Sequence, residues 1–202
     1  KTFTAYTYDK VELSEVPEEL KKAIIATEDK NFYKHKGYDL FGIVRSSIQN
    51  VIARHAVQGA STITQQLARI LFLSNERTIS RKVKELEVAT RIEKTISKDK
   101  ILEMYMNNVY LGAGAYGVSA ASKIYFNKKL NQLKLSELAL LAGLPQAPSV
   151  YNPYNNIELA KKRRNQVLKR MRTMRYITDE EYKSAIEDEI KLSEILTKNY
   201  GL

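Results

Sequence analysis

Hydrophobic positions recur at helical spacing through most of the chain. From Pro17 the pattern predicts a first helix, with Glu18 and Glu19 in its first turn and apolar residues three and four positions apart after them. Further helices are predicted over residues 40–52, 63–71, 78–96, 97–109, 119–125, 135–144, 158–176 and from 178 onward. Only the opening stretch to Val11, where Thr, Tyr and Phe alternate, indicates a short strand.

Composition supports a helical protein with a hydrophobic core. The 202 residues include only 8 Gly and 4 Pro, while Ala, Leu, Ile, Lys and Glu dominate, a balance that favours helix over sheet. A hydrophobic content of 44% is enough to build a core in a chain of this length. We therefore expect a mainly α domain.

The net charge indicates the kind of partner, and the absence of cysteine excludes several kinds of site. A formal net charge of +10 should attract polyanions, which could be nucleic acid, anionic lipid or a phosphorylated substrate. The absence of Cys excludes disulfides, thiolate metal sites and cysteine nucleophiles. With only His35 and His55 available, a tightly bound zinc ion is not expected.

The start of the chain indicates a fragment. It begins at Lys1, and it contains neither an apolar run of about 18 residues nor a signal-peptide pattern. We therefore expect an excised domain whose membrane anchor lies outside this chain.

Glu28 and Asp29 are the first candidates for chemistry. Ile24 and Ile25 precede them on the predicted helix and could partly desolvate the Glu28 carboxylate, which would suit a general base. An acidic pair at a helix end is also an ordinary solvated surface feature, so the local pattern leaves both interpretations open. His35, in the loop that follows, is expected to have a structural hydrogen-bonding role.

A second candidate is the segment from Gly59 to Gln66. Its turn runs into hydroxyls and paired amides, among them Ser61 and Gln65, that suit sugars or phosphates. Thr62 and Gln65 also have the spacing of a capping box, so helix initiation alone would explain half of the segment.

A third candidate is the group formed by Arg81, Lys82 and Glu85. Two cations beside one carboxylate could hold a diphosphate leaving group while the carboxylate orients a substrate. An intrahelical salt bridge between Arg81 and Glu85 would give the same pattern. Arg69 and Arg77 enlarge the positive patch and favour the diphosphate interpretation.

Taken in order, these residues resemble the peptidoglycan glycosyltransferase family of class A penicillin-binding proteins and monofunctional transglycosylases. The resemblance extends over residues 13–166, and five ordered motifs are more specific than any one of them. Met106 stands where the family more often has Leu. The five motifs correspond here to Glu28, Asp29, Phe32, His35 and Gly37; to Gly59, Ser61, Thr62, Ile63, Gln65 and Gln66; to Arg81, Lys82 and Glu85; to Lys98, Ile101, Leu102, Glu103, Tyr105, Asn107, Tyr110 and Gly112; and to positions between Ala120 and Pro153.

The resemblance implies a lysozyme-like helical fold in two lobes with a cleft between them. Residues 1–176 would form the glycosyltransferase domain, and 38–58 would belong to a small lobe that associates with the membrane. The last residues, 177–202, would be a linker or the start of a following domain, and we favour a parent protein that also has a transpeptidase domain.

The resemblance also implies an activity and its residues. The enzyme would polymerise the lipid-linked precursor lipid II into β-1,4-linked glycan strands, with inversion and release of polyprenyl diphosphate. Glu28 and Glu85 would be catalytic, with Glu28 as the base and the role of Glu85 left open between orienting the cations or the sugar and acting as a second acid. The substrate-binding residues would be Asp29, Phe32, Ser61, Gln65, Gln66, Arg69, Arg77, Arg81, Lys82 and Asn152.

The same resemblance implies the partners and the compartment. These would be lipid II, the growing glycan and the extracytoplasmic face of a bacterial membrane, with moenomycin-type molecules as inhibitors and no nucleic acid. No resident metal is required by the sequence, although Mg²⁺ or Mn²⁺ could assist the diphosphate.

Two other classes of function remain as alternatives. A lysozyme-like peptidoglycan hydrolase would use water as its nucleophile and would leave the Arg81–Lys82 pair without an obvious purpose. A basic module that binds membrane or nucleic acid would use the net charge, but the sequence has no helix-turn-helix, RNA-binding or zinc signature.

Overall fold

The structure, a computed structural model, describes residues 10–39, 61–73 and 78–194 and is mainly helical there. Short 3₁₀ helices occur at Leu13–Glu15, Leu130–Gln132 and Leu144–Gln146. β-Structure in the described ranges amounts to an isolated antiparallel bridge between Tyr110 and Tyr116. The α-helices are α1 (Glu18–Glu28), α2 (Ile63–Phe72), α3 (Ile79–Thr95), α4 (Lys98–Asn108), α5 (Val118–Phe126), α6 (Leu135–Gly143), α7 (Ile157–Thr173) and α8 (Asp179–Glu187).

The mainly α class predicted from the sequence is confirmed, and the lysozyme-like fold is consistent with it. The predicted helices from residue 63 onward are present with ends shifted by a few residues. α7 ends at Thr173, before the predicted end at Tyr176, because Arg175 adopts a left-handed conformation with φ of 58°. The predicted helix at 40–52, nearly all of the opening strand and all but the first two residues of the small lobe at 38–58 lie outside the described residues.

Side-chain caps fix several helix starts. Thr62 accepts a hydrogen bond from the Gln65 backbone, and the Gln65 side chain accepts one from the Thr62 backbone, so the predicted capping box is present at α2. The box predicted at Thr178 and Glu181 is present at α8 in the same form. Each pair satisfies helix N–H groups that would otherwise lack partners.

The chain divides into two compact units, a middle unit of residues 28–108 and a terminal unit of residues 1–27 and 109–202. In the middle unit, α2 packs against both α3 and α4. Burying each large apolar side chain stabilises such a unit by about 1.5–3 kcal/mol. The fully buried side chains of the middle unit include Phe32, Ile63, Leu67, Ile101, Leu102, Tyr105 and Met106.

In the terminal unit, α6 packs against α7, and α7 packs against α8. Every residue of α6 after the first is buried, as expected of a helix that is apolar on nearly all sides. Arg170 on α7 donates a hydrogen bond to the Thr27 carbonyl at 2.7 Å and so satisfies an acceptor near the end of α1.

The terminal unit continues beyond residue 176, where the sequence placed the end of the glycosyltransferase domain. Arg164 is buried, and its guanidinium donates to the carbonyls of Ile186 and Asp188 at 2.8 and 2.6 Å. Burial lowers the pKa of Arg164, while the nearby Asp188 opposes that shift. The Ser193 backbone N–H donates to the Tyr125 carbonyl at 2.8 Å, so the chain is packed as far as this point. The family domain boundary at 176 stays a prediction.

None of the helices in the described ranges is both long enough and apolar enough to cross a membrane.

Candidate active site

Glu28 is the last residue of α1, and its carboxylate is held by an amide. Gln66 Nε2, on α2, donates a hydrogen bond to Glu28 Oε2 at 2.9 Å. The other end of the amide, Gln66 Oε1, accepts a hydrogen bond from the Tyr105 hydroxyl on α4 at 3.1 Å. Glu28, Gln66 and Tyr105 therefore form a continuous hydrogen-bonded chain across three helices.

Tyr105 is completely buried, and its environment keeps the hydroxyl protonated. Burial raises the pKa of Tyr105 well above its ordinary value, the carboxylates of Glu28 and Asp29 raise it further, and the Arg69 guanidinium acts in the opposite direction. At neutral pH the phenol is therefore a hydrogen-bond donor.

Asp29 anchors the loop after α1 to the start of α2. Its Oδ2 accepts hydrogen bonds from His35 Nε2 at 2.8 Å and from the Ile63 backbone N–H at 3.0 Å. Ile63 is the first residue of α2, where an N–H has no partner within the helix and a carboxylate is favoured by the helix dipole. The Gly37 backbone N–H donates to His35 Nδ1 at 3.1 Å, so the His35 ring acts as a structural connector, as its pattern predicted.

Gly37 is required by the close packing of this loop. Its φ is 100°, and a Cβ at this position would lie 3.2 Å from the backbone of Ala89 on α3. The Thr62 hydroxyl donates to the Gly37 carbonyl at 2.7 Å and ties the same loop to the N-cap of α2.

The third predicted group is assembled around a buried carboxylate. Glu85 Oε2 accepts from Arg81 NH1 at 2.7 Å, and Glu85 Oε1 accepts from Lys82 Nζ. The Glu85 side chain is only 1% exposed, whereas that of Lys82 is 43% exposed. Two cationic donors hold this carboxylate from both oxygens, which suits an orienting role.

Lys82 also joins this group to the second motif. Its Nζ donates to the Ser61 hydroxyl at 2.8 Å, next to the N-cap of α2. Ser61 lies just before the N-cap of α2, and Gln66 lies in the first turn of that helix. Because Gln66 contacts Glu28 of the first motif and Ser61 contacts Lys82 of the third, the three motifs meet at the start of α2 in the middle unit.

Three of the residues predicted to bind substrate are buried and contact other protein groups. Phe32 and Gln65 are fully buried, and Asp29 is nearly so. Their observed partners are the capping interactions of α2 and, for Phe32, the Lys98 ammonium 4.6 Å from the ring centroid. Direct contact of these three side chains with a substrate stays a prediction.

Three other residues predicted to bind substrate are Arg69, Arg77 and Asn152. Arg69 is exposed in the last turn of α2, and Arg77 lies outside the described residues. Asn152 belongs to the terminal unit, where its Oδ1 accepts from the Tyr154 backbone N–H at 3.0 Å and closes a turn.

Two residues of the middle unit received no site role from the sequence. Glu93 Oε1 accepts from Thr64 Oγ1 at 2.5 Å and from Lys98 Nζ at 2.7 Å, and so connects α2, α3 and α4. Tyr105 was named as a residue of the fourth motif, but without a role in the site. A tyrosine on an otherwise apolar helix face is a signal that could have revealed it, because a buried hydroxyl needs a partner.

Within residues 10–39, 61–73 and 78–194, no three His, Cys, Asp or Glu side chains come together as a metal site would need.

The chain is similar to known proteins of one family. The sequence model of the transglycosylase family matches residues 2–172. The chain is 53% identical over 176 residues to penicillin-binding protein 1A of Aquifex aeolicus, covering 87% of the chain and 24% of that protein. It is 53% identical over 172 residues to penicillin-binding protein 1A of Escherichia coli, covering 85% of the chain and 20% of that protein.

A solved structure supports the same assignment. The crystal structure of penicillin-binding protein 1A from Haemophilus influenzae aligns with a TM-score of 0.55 and 29% identity, over 92% of this chain and 18% of that one. The chain thus spans about a quarter or less of the length of these relatives. It belongs to the transglycosylase family and is a peptidoglycan glycosyltransferase domain.

Proposed function

We propose that this domain polymerises lipid II into β-1,4-linked glycan strands with inversion, releasing polyprenyl diphosphate. The observation that supports the proposal best is the convergence of Glu28, Lys82 and Glu85 on the first turns of α2, in a chain of the transglycosylase family. One candidate base and one accessible cation both contact residues at the start of α2, which supports transfer of a sugar from a diphosphate donor.

Glu28 acts as the general base in this proposal. It takes the proton from the 4-hydroxyl of the acceptor sugar while the oxygen of that hydroxyl attacks the anomeric carbon of the donor. The bond from the anomeric carbon to the diphosphate oxygen breaks, and its electron pair leaves with the diphosphate. Attack opposite to the leaving group inverts the anomeric configuration.

Lys82 is the principal cation for the departing diphosphate. Its side chain is accessible, and Glu85 and Ser61 hold its ammonium in place. A fixed positive charge stabilises the charge that develops on the leaving group without reorganising during the reaction. Arg69, Arg77 and Arg81 add to the positive potential, and Glu85 orients Arg81 and Lys82.

The other predicted binding residues act in two ways. Ser61 and Asn152 offer polar groups to the substrate. Asp29, Phe32 and Gln65 support the site by fixing the loop after α1 and the start of α2.

The proposed location of the domain at a membrane follows from its proposed substrate. A lipid-linked donor and acceptor reach the enzyme at the extracytoplasmic face of a bacterial membrane, and we propose that an N-terminal transmembrane segment of the parent protein holds the domain there. The net charge of +10 would favour approach to anionic lipid head groups. The relatives named penicillin-binding protein 1A lead us to propose a bifunctional parent with a transpeptidase domain.

The test is an assay of the chain with lipid II in detergent or bilayers. We expect glycan polymers and released polyprenyl diphosphate, and inhibition by moenomycin as a mimic of the donor. A chain that makes no polymer but releases reducing ends from purified peptidoglycan would instead be the hydrolase, and the proposal would fall.

A further inference from the structure

We infer that Tyr105 is a positioning residue for Glu28 and that it acts through the side-chain amide of Gln66. The inference rests on the proposed function, because it explains how the candidate base is held in its reactive form. Neither the family match nor the names of the relatives assign such a role to this tyrosine.

The hydrogen bonds show how Tyr105 can influence Glu28. Tyr105 is 0% exposed, so its hydroxyl cannot touch a substrate directly. That hydroxyl donates to Gln66 Oε1 at 3.1 Å, and Gln66 Nε2 donates to Glu28 Oε2 at 2.9 Å. Any influence of Tyr105 on the reaction must therefore pass through Gln66.

The amide of Gln66 can face Glu28 in either of two ways. The carboxylate, which only accepts, selects the NH₂ end, and the Tyr105 hydroxyl donates to the other end and holds the amide in that orientation. With Oε1 accepting from the Tyr105 hydroxyl, the NH₂ group faces Glu28 and donates to its carboxylate, which favours the ionised form that a base needs. With the amide reversed, two acceptor oxygens would face each other and the hydrogen bond to the carboxylate would be lost.

The hydroxyl keeps its proton over the range in which an enzyme works. Burial, and secondarily the Glu28 carboxylate, raise the pKa of Tyr105 well above its ordinary value. The other charged groups that act on the phenol are Arg69 on α2, which opposes the shift, and Asp29 in the loop after α1, which adds to it. The donor to Gln66 is therefore present around neutral pH, where Glu28 would act as a base.

Packing alone does not explain the residue. The neighbouring inward positions of α4 are Ile101, Leu102 and Met106, and a phenylalanine would fill the same space without a hydroxyl to desolvate. A buried hydroxyl is unfavourable unless it is hydrogen-bonded. Here its partner is Gln66, the residue that contacts Glu28.

The first test is Tyr105→Phe in the full chain, assayed with lipid II. We expect kcat to fall about tenfold, the effect of losing one buried hydrogen bond, with KM changed by less than about twofold. The acidic limb of the pH profile should move to higher pH, because the ionised form of Glu28 loses support. Tyr125→Phe is the matched control, since Tyr125 is as fully buried and donates only to the Leu111 carbonyl at 2.8 Å in the terminal unit.

A double-mutant cycle tests whether the effect passes through Gln66. In a Gln66→Leu background, Tyr105→Phe should change kcat no further, because the connection is already broken. The same loss of kcat in both backgrounds, or a loss matched by Tyr125→Phe, would overturn the inference.

A measurement independent of turnover separates this inference from the proposed function. The pKa of the Glu28 carboxyl, followed by ¹³C NMR in folded protein, should be higher in Tyr105→Phe than in the unsubstituted chain. A rise in a chain that makes no glycan would support the positioning role and contradict the proposed function. An unchanged pKa in a chain that polymerises lipid II normally would overturn the positioning role alone.

Discussion

Glu85 accepts a hydrogen bond from Arg81 at 2.7 Å while its own side chain is only 1% exposed. The carboxylate thus lies inside the middle unit, and the cations reach it from the outer side of α3. A buried ion of this kind is tolerated only when both of its oxygens have charged partners, and Lys82 supplies the second. The intrahelical salt bridge between Arg81 and Glu85 that the sequence left open is therefore present, and its carboxylate is buried.

Removal of this buried carboxylate should destabilise the chain more than removal of an exposed one. Glu85→Ala leaves Arg81 and Lys82 without their counterion and should lower the free energy of unfolding by about 3 kcal/mol. Glu87→Ala is the control on the same helix, because Glu87 and its partner Arg91 are 58% and 77% exposed, and we expect a loss below about 1 kcal/mol. Urea denaturation of both variants measures the difference, and equal losses would contradict the assignment of Glu85 to the interior.

Lys82 should affect turnover rather than stability. Lys82→Ala removes the accessible cation at the start of α2 and should lower turnover of lipid II about a hundredfold, the usual effect of losing one preorganised charge-stabilising group. Lys84→Ala removes a cation from an exposed position on the same helix and should leave turnover unchanged. Turnover and donor binding like those of the unsubstituted chain in Lys82→Ala would exclude Lys82 from the site.

The helices could be predicted from local signals, but their buried faces could not. The spacing of apolar residues and the Thr78 cap are sufficient to predict α3, since both act within one helix. The same spacing would bury Ile79 and Val83, which are 87% and 59% exposed, while Glu85 is buried. Burial at α3 is decided by partners on other segments, among them Ser61, which contacts Lys82.

The site could be predicted only in part, because local patterns identify candidate residues but not their contacts with distant segments. Glu28 and Lys82 were candidates from the local pattern, and the resemblance to a family gave them roles, without knowledge of their contacts. The contact between Tyr105 and Gln66 joins positions 39 residues apart, so no local pattern contains it. Arg164 likewise donates to the backbone carbonyls of residues 186 and 188, a contact that carries no sequence signature.

Alkaline pH should destabilise the chain through its buried tyrosines. Burial is the main cause that raises the pKa of both Tyr105 and Tyr125, so the folded state keeps protons that the unfolded state loses above about pH 10. Their contribution to stability is complete below that pH and is lost as the pH rises, at about 1.4 kcal/mol per pH unit for each phenol.

The experiment measures the free energy of unfolding below and above about pH 10 for the unsubstituted chain and two tyrosine variants. Tyr125→Phe should show a shallower decline above about pH 10 than the unsubstituted chain, because one of the two phenols is absent. Tyr116→Phe removes the hydroxyl of a half-exposed tyrosine and should keep the original slope. A decline in Tyr125→Phe as steep as in the unsubstituted chain would show that this phenol is not the source.

The most direct test of the account is the rate of lipid II polymerisation by Glu28→Gln. The substitution keeps the size of the side chain but removes the carboxylate that receives the proton, and turnover should fall by roughly two to four orders of magnitude. An unchanged thermal unfolding midpoint would show that the variant is folded. Polymerisation by folded Glu28→Gln at a rate close to that of the unsubstituted chain would contradict the assignment of Glu28 as the base.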